Sequence, residues 1–286
     1  MILVVGATGA LGGLIARRLL EQGRKVRVLV RKGSDHDGLL KAGAEAAFGD
    51  LKDRASLDKA AQGIETVITT ANSAMRGGED NVESVEIQGN RSLIDAAQGA
   101  GVKHFIFTSA MGANADSPMP FMRGKGLTEG HLTASGMGYT ILSPNIFMEV
   151  WFPMIVGMPL QSGAPVTIIG EGTRRHSFVS MNDVAAFAAA AADHPAARNQ
   201  QILIGGPEPL SWTDVVKRAG DVLGRELPIR RVQPGEALPG LPEVVSGLMA
   251  GMDTYDSPVD MTATARTYGV RLTSAEHVLR QILATT

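Results

Sequence analysis

Met1-Ile2-Leu3-Val4-Val5-Gly6-Ala7-Thr8-Gly9-Ala10-Leu11-Gly12 opens the chain, and an amphipathic stretch carrying Leu11, Leu14, Ile15 and Leu19 follows at once. A short apolar run, three glycines spaced three apart and a helical apolar stripe read as strand, tight turn and helix. Gly6 lets the chain turn sharply, Gly9 lets the backbone approach a pyrophosphate, and Gly12 lets the helix pack against the strand. Phosphates there meet free N–H groups and the positive end of the helix dipole. The spacing is GxxGxxG rather than GxGxxG, and its place between a strand and a helix is what gives it weight. Gly6, Thr8, Gly9, Ala10, Leu11 and Gly12 are therefore the expected phosphate-cradle contacts.

The bulk numbers narrow the classes. A chain of 286 residues with 44% hydrophobic content suits one large or two unequal globular domains. Net charge is −2, which gives no electrostatic footprint for nucleic acid. The absence of cysteine excludes disulfides, thiol catalysis and cysteine-ligated zinc. The six histidines lack metal-ligand spacing, so no metal is expected. No apolar run reaches the roughly 18 residues of a membrane span. The first strand leaves no room for a signal peptide, so a cytoplasmic location is expected. The assembly, a homodimer or otherwise, is left open.

Short apolar runs at 2–5, 26–30, 44–48, 66–69, 105–108 and 139–142 alternate with helical patterns at 11–21, 39–42, 56–61, 85–100 and 126–134. Repeated β-α units predict a doubly wound parallel sheet of Rossmann type, with ligands held beyond the C-terminal strand ends. After Leu142 the alternation becomes irregular and prolines multiply. The expected division is a nucleotide-binding domain at 1–150 and a smaller C-terminal α/β substrate domain at 151–286, with 201–204 returning to the main sheet. Ser211 to Asp214 and Thr273 to Glu276 carry helix-start signals, and the second fits a capping box.

The second strand reads the ribose end of a dinucleotide. An unphosphorylated ribose calls for a carboxylate there, but the chain has Val30-Arg31-Lys32-Gly33-Ser34. Arg31 offers a planar fork for a phosphate and Lys32 a point charge, which predicts NADP(H) in preference to NAD(H). After the third strand, Asp50 can accept from the adenine amino group while Leu51 covers the ring; Asp53 is better placed to cap the next helix. Thr70, Ala71 and Asn72 follow the fourth strand, where small residues admit the cofactor. Residues 73–82 form a polar loop with a glycine pair, either a lid or an ordinary surface loop.

These motifs resemble a family. Gly6 to Gly12, Asp50-Leu51, Gln88-Gly89-Asn90-Arg91-Ser92, Lys103-His104-Phe105-Ile106-Phe107-Thr108-Ser109 and Tyr139-Thr140-Ile141-Leu142-Ser143-Pro144 are similar to the short-chain dehydrogenase/reductase superfamily. Phe178-Val179-Ser180-Met181-Asn182-Asp183-Val184-Ala185 and Tyr268-Gly269-Val270-Arg271-Leu272-Thr273-Ser274 resemble its atypical, NmrA-like branch. Most of the superfamily uses a Tyr-x-x-x-Lys pair, and the matching segment here is Phe121-Met122-Arg123-Gly124-Lys125. The lysine survives and the phenol does not, so tyrosine-type acid catalysis at this position is excluded.

The resemblance implies an NADPH-dependent oxidoreductase. A quinone or similar flat apolar electrophile takes hydride without a tightly placed acid, so positioning and water exclusion suffice. Lys125 is the catalytic candidate, as a general base or, preferably, as a binder of ribose hydroxyls. Ser109, Pro144, Asn145 and Phe147 complete the expected cofactor contacts. Phe147, Trp151 and His176 are the candidate acceptor contacts, although the aromatic group suits domain-interface core equally well. The alternative reading is a non-catalytic NADP(H) sensor, with the apolar segment 238–252 as a surface for a protein partner.

Overall fold

The computed structural model describes residues 1–74, 76–238, 240–241 and 243–284. Its strands are β1 (Ile2–Val5), β2 (Val26–Val30), β3 (Glu45–Phe48), β4 (Thr66–Thr69), β5 (His104–Thr108), β6 (Gly138–Pro144), β7 (Val166–Ile169), β8 (Gln200–Ile204) and β9 (Ile229–Val232). The chain folds as two units, each assembled from separate stretches of sequence. The first comprises 1–144, 184–203 and 268–270, and the second comprises 145–183, 204–267 and 271–286.

In the first unit β1, β4 and β5 are buried on both faces, as strands covered on both sides must be. They lie in one seven-stranded sheet of order β3-β2-β1-β4-β5-β6-β8. β1 pairs in parallel with β2 and β4, so Val4 stands opposite both Val28 and Ile68. The parallel ladder continues through β2 with β3, β4 with β5 and β5 with β6. The crossovers run to opposite sides of β1, which makes the β1/β4 boundary the switch point of a Rossmann-type sheet. The segment expected to return at 201–204 does so as β8, beside β6.

The helices of this unit are α1 (Ala10–Glu21), α2 (Asp37–Lys41), α3 (Arg54–Ala60), α4 (Asn90–Gly99) and α5 (Pro120–Ala134). α1 buries Gly12, Ile15, Ala16 and Leu19, one stripe at helical spacing. Asp53 caps α3 by accepting from the N–H groups of Ala55 and Ser56. Two expectations need correcting. The helix read at 85–100 begins as a wider π-helical segment, Val82–Gly89, before α4. The helix read at 126–134 starts at Pro120, so Lys125 lies within α5 rather than before it.

The second unit has its own core. Phe152, Ile168, Phe178, Trp212, Val215, Met249 and Leu279 lie in it, around the parallel pair β7–β9. The capping box falls on Trp212–Leu223, where Ser211 and Asp214 cap each other's backbone. The last helix, Ala275–Leu283, is instead capped by Ser274 alone, and Glu276 turns to Arg280 one turn on. Among the described residues, no helix is long and apolar enough to cross a membrane, and no group of three acidic or histidine side chains is placed to hold a metal ion.

Candidate functional site

The turn from β1 to α1 is built around close backbone approach. Gly6 has φ +86°, and a Cβ on Gly12 would stand 2.2 Å from the Gly6 carbonyl oxygen. The Gly9 N–H closes the turn on that carbonyl at 3.0 Å. Gly9 is the N-cap of α1, offers no side-chain cap, and the first helical turn has no acid. The leading N–H groups of α1 therefore lack an intrahelical acceptor and face the strand ends with the dipole's positive pole. The turn has the donors to hold a pyrophosphate; in it Thr8 and Ala10 are exposed and Leu11 is half-buried.

Cations gather beyond β2 and β3. Arg31 donates to Asp80 at 2.8 Å and lies 3.9 Å from Asp50. Asp80 also accepts from Lys52 at 3.0 Å and Arg76 at 3.2 Å. The Arg31 and Lys52 hydrogen bonds hold the Asp80 carboxyl far below the usual carboxylate range, and Asp80 raises the Lys52 ammonium in turn. Lys32 is exposed. Asp50 accepts from the Lys52 N–H at 2.9 Å in a local turn, and Leu51 packs at the edge of the first unit's core. The polar loop at 73–82 is thus tied to the basic strand ends through Asp80; Met75 of that loop lies outside the described residues.

The β4 end is held from below. Thr70 donates its N–H to Val5, and the Asn72 side chain bridges the Thr70 carbonyl and the Ala74 N–H. Buried Glu86 accepts from the Ser73 N–H at 2.7 Å. Buried Asn90 donates to the carbonyls of Ala71 and Val85. Glu86 and Asn90 escaped the sequence reading. Asn90 stands in a motif quoted for the family resemblance, but nothing in its spacing announces this role.

Lys125 is a buried cation of the first unit. Its ammonium donates to the Thr108 carbonyl at 3.0 Å and lies 4.9 Å from the Phe107 ring centre and 5.5 Å from that of Phe121. Burial pushes it down to about 8, against the pull of the Glu86 and Glu129 carboxylates. Glu129 is raised by burial and accepts from the Ser109 hydroxyl, which with Lys125 opposes the rise. The Pro144 carbonyl accepts from the Met111 N–H at 2.9 Å. A lysine of this kind keeps a proton at neutral pH and releases it readily.

In the second unit, Asn145 donates to the Ser257 carbonyl at 2.8 Å and accepts from the Ile146 N–H. Phe147 is half-buried and forms a bridge with Val179. Trp151 is half-buried, 6.3 Å from Trp212. His176 departs from its expected role. It is 0% exposed, with Nδ1 on the Ser257 hydroxyl at 2.7 Å and Nε2 on the Met252 carbonyl at 3.1 Å. Both ring nitrogens are engaged, so none is left for an acceptor. The proposed partner surface is also corrected: Leu238, Val245, Met249 and Met252 are core residues of this unit. Pro239 and Pro242 of that segment lie outside the described residues.

Comparison with known proteins matches the NmrA-like family over residues 1–264. NAD(P)H azoreductase of Xenophilus azovorans is 31% identical over 256 residues, covering 87% of this chain and 85% of that protein. Photosystem II assembly factor Ycf39 of Trieres chinensis is 28% identical over 81% of this chain and 72% of that protein. Among solved structures, the NADPH-dependent quinone oxidoreductase QOR2 of Escherichia coli, complexed with NADPH, has a TM-score of 0.84 at 23% identity, covering 99% of this chain and 100% of that one. That last likeness is one of fold.

Proposed function

The chain belongs to the NmrA-like family, and on that premise we propose that it is an NADPH-dependent oxidoreductase that reduces a quinone or similar flat electrophile. The observation that carries the reading is the pair Phe121 and Lys125, a phenyl ring 5.5 Å from a buried ammonium where a tyrosine would supply acid. Without the phenol, the chemistry is restricted to acceptors that take hydride unaided.

Reduction of a quinone to a hydroquinone consumes one hydride and one proton. The nicotinamide, when bound, supplies the hydride. Gly6, Thr8, Gly9, Ala10, Leu11 and Gly12 hold the pyrophosphate. Arg31 and Lys32 hold the 2′-phosphate, Asp50 the adenine amino group, and Leu51 covers the ring. Thr70, Ala71, Asn72, Ser109 and Pro144 line the remaining cofactor path of the first unit. Lys125 binds ribose hydroxyls, and its proton is available to the reduced acceptor's oxygen. Phe147 and Trp151 offer half-buried aromatic surface for a flat acceptor.

NADPH consumption by the purified protein over a panel of quinones and azo dyes, with NADH in parallel, tests the proposal. Turnover that is faster with NADPH is expected. Tight NADPH binding with no consumption overturns it in favour of an NADP(H)-sensing protein with a protein partner. The similarity to an assembly factor supports that second reading, although Leu238, Val245, Met249 and Met252 are committed to the core.

A further inference from the structure

Asp80 gathers cations from three connections of the first unit. Arg31 follows β2, Lys52 follows β3 and Arg76 follows β4, and all three donate to its carboxylate, at 2.8, 3.0 and 3.2 Å. The side chain is only 17% exposed although it stands on a polar loop. The other acids nearby are more distant: Asp50 is 3.9 Å from Arg31, and Glu79 is 3.6 Å from Lys52. A glycine pair, Gly77-Gly78, precedes Asp80, and the Asn81–Ser84 capping box fixes the chain after it. The carboxylate thus sits among three cations, at the strand ends where parallel sheets hold their ligands. A phosphomonoester carries more charge and one more acceptor oxygen than a carboxylate, and suits the same arginine fork better.

We propose that Asp80 is a specificity-determining residue whose carboxylate holds, on Arg31, Lys52 and Arg76, the position of the NADP(H) 2′-phosphate, and that the two exchange on binding. The inference rests on the NADP(H) reading above and extends it. Lys52 and Arg76 become phosphate ligands beside Arg31, and Asp80 becomes the internal competitor that the phosphate displaces. NAD(H) brings only a hydroxyl to this point and leaves Asp80 in place.

Fluorescence titration of NADPH and NADH against the wild-type protein, Asp80→Asn and Lys52→Gln provides the test, with 2′,5′-ADP and 5′-ADP as non-redox probes. These half-exposed ion pairs are individually weak, so removing the competitor is expected to tighten NADPH and 2′,5′-ADP by roughly three- to thirtyfold. NADH and 5′-ADP should not tighten, and Lys52→Gln should weaken only the 2′-phosphorylated ligands. NADPH affinity that is unchanged or weaker in Asp80→Asn overturns the exchange. Equal tightening of NADPH and NADH also overturns it, because that marks simple opening of the loop. Asp80→Ser repeats the measurement if asparagine disturbs the loop. Failure of the underlying reading looks different: wild-type protein that binds NADH as tightly as NADPH removes the cofactor preference itself.

Discussion

Replacing Lys125 with methionine removes a buried proton-binding group of known direction, and its consequence for stability can be worked out. Burial lowers the ammonium from 10.5 to about 8 in the folded chain. Between those values the unfolded chain binds more protons than the folded one, so folding becomes more favourable as pH rises. Below the folded value both states are protonated and the penalty is constant. Each pKa unit is worth about 1.4 kcal/mol, and the linkage integral from about pH 7 to about pH 10 is on the order of 2–3 kcal/mol. Lys125 is 3% exposed, so solvent screening removes little of this. Urea unfolding followed by circular dichroism at several pH values reads the effect directly. Wild-type stability should gain on the order of 2–3 kcal/mol relative to Lys125→Met across that interval. Burial also raises Tyr255 and Tyr268, which act near the upper end and are common to both proteins, so they cancel in the difference. Parallel pH profiles for the two proteins would refute the reasoning.

Three further substitutions have definite expected outcomes. Arg31→Ala should weaken NADPH binding about tenfold, allowing for the exposure of the arginine, while NADH changes by about twofold at most; equal losses in a titration would mean that Arg31 does not read the phosphate. Gly12→Ala places a methyl 2.2 Å from the Gly6 carbonyl oxygen. It should cost roughly 1–3 kcal/mol in urea unfolding and abolish tight cofactor binding, and a protein as stable as wild type would contradict the turn. His176→Ala should destabilise by about 2–4 kcal/mol, through a cavity and two lost buried hydrogen bonds, and leave NADPH affinity unchanged. Weakened NADPH binding in a folded His176→Ala protein would return that ring to the site.

Strands were the most legible part of the sequence, because each parallel strand is a short apolar run closed by polar or glycine residues. All six predicted in the first half are present, with shifts at their ends such as the start of β3 at Glu45 and the extension of β6 to Pro144. The sequence predicts α5 too short because it carries three glycines within seven residues, Gly124, Gly126 and Gly130. Helix propensity counts them against a helix, yet a Cβ on Gly126 would stand 2.2 Å from the Asn114 carbonyl carbon. The cradle and the basic pair were legible because local spacing encodes them. Asp80, Glu86 and Glu129 were not, since each acquires its partner across loops with no period. Apolar content at 238–252 does not say which face is covered, and the structure places Leu238, Val245, Met249 and Met252 in the core.

The way the chain divides between its two units bears on how the protein can be made and cut. It passes from one unit to the other at 144/145, 183/184, 203/204, 267/268 and 270/271. A fragment ending near residue 150 would carry the phosphate cradle but lack β8, leaving β6 as an open sheet edge prone to pairing with other chains. During synthesis, the first unit waits for residues 268–270 and the second for its last helix. Both are therefore complete only after residues beyond 268 have emerged. Dissection by truncation is thus a poor route to either half, and point substitution in the whole chain is the sound one.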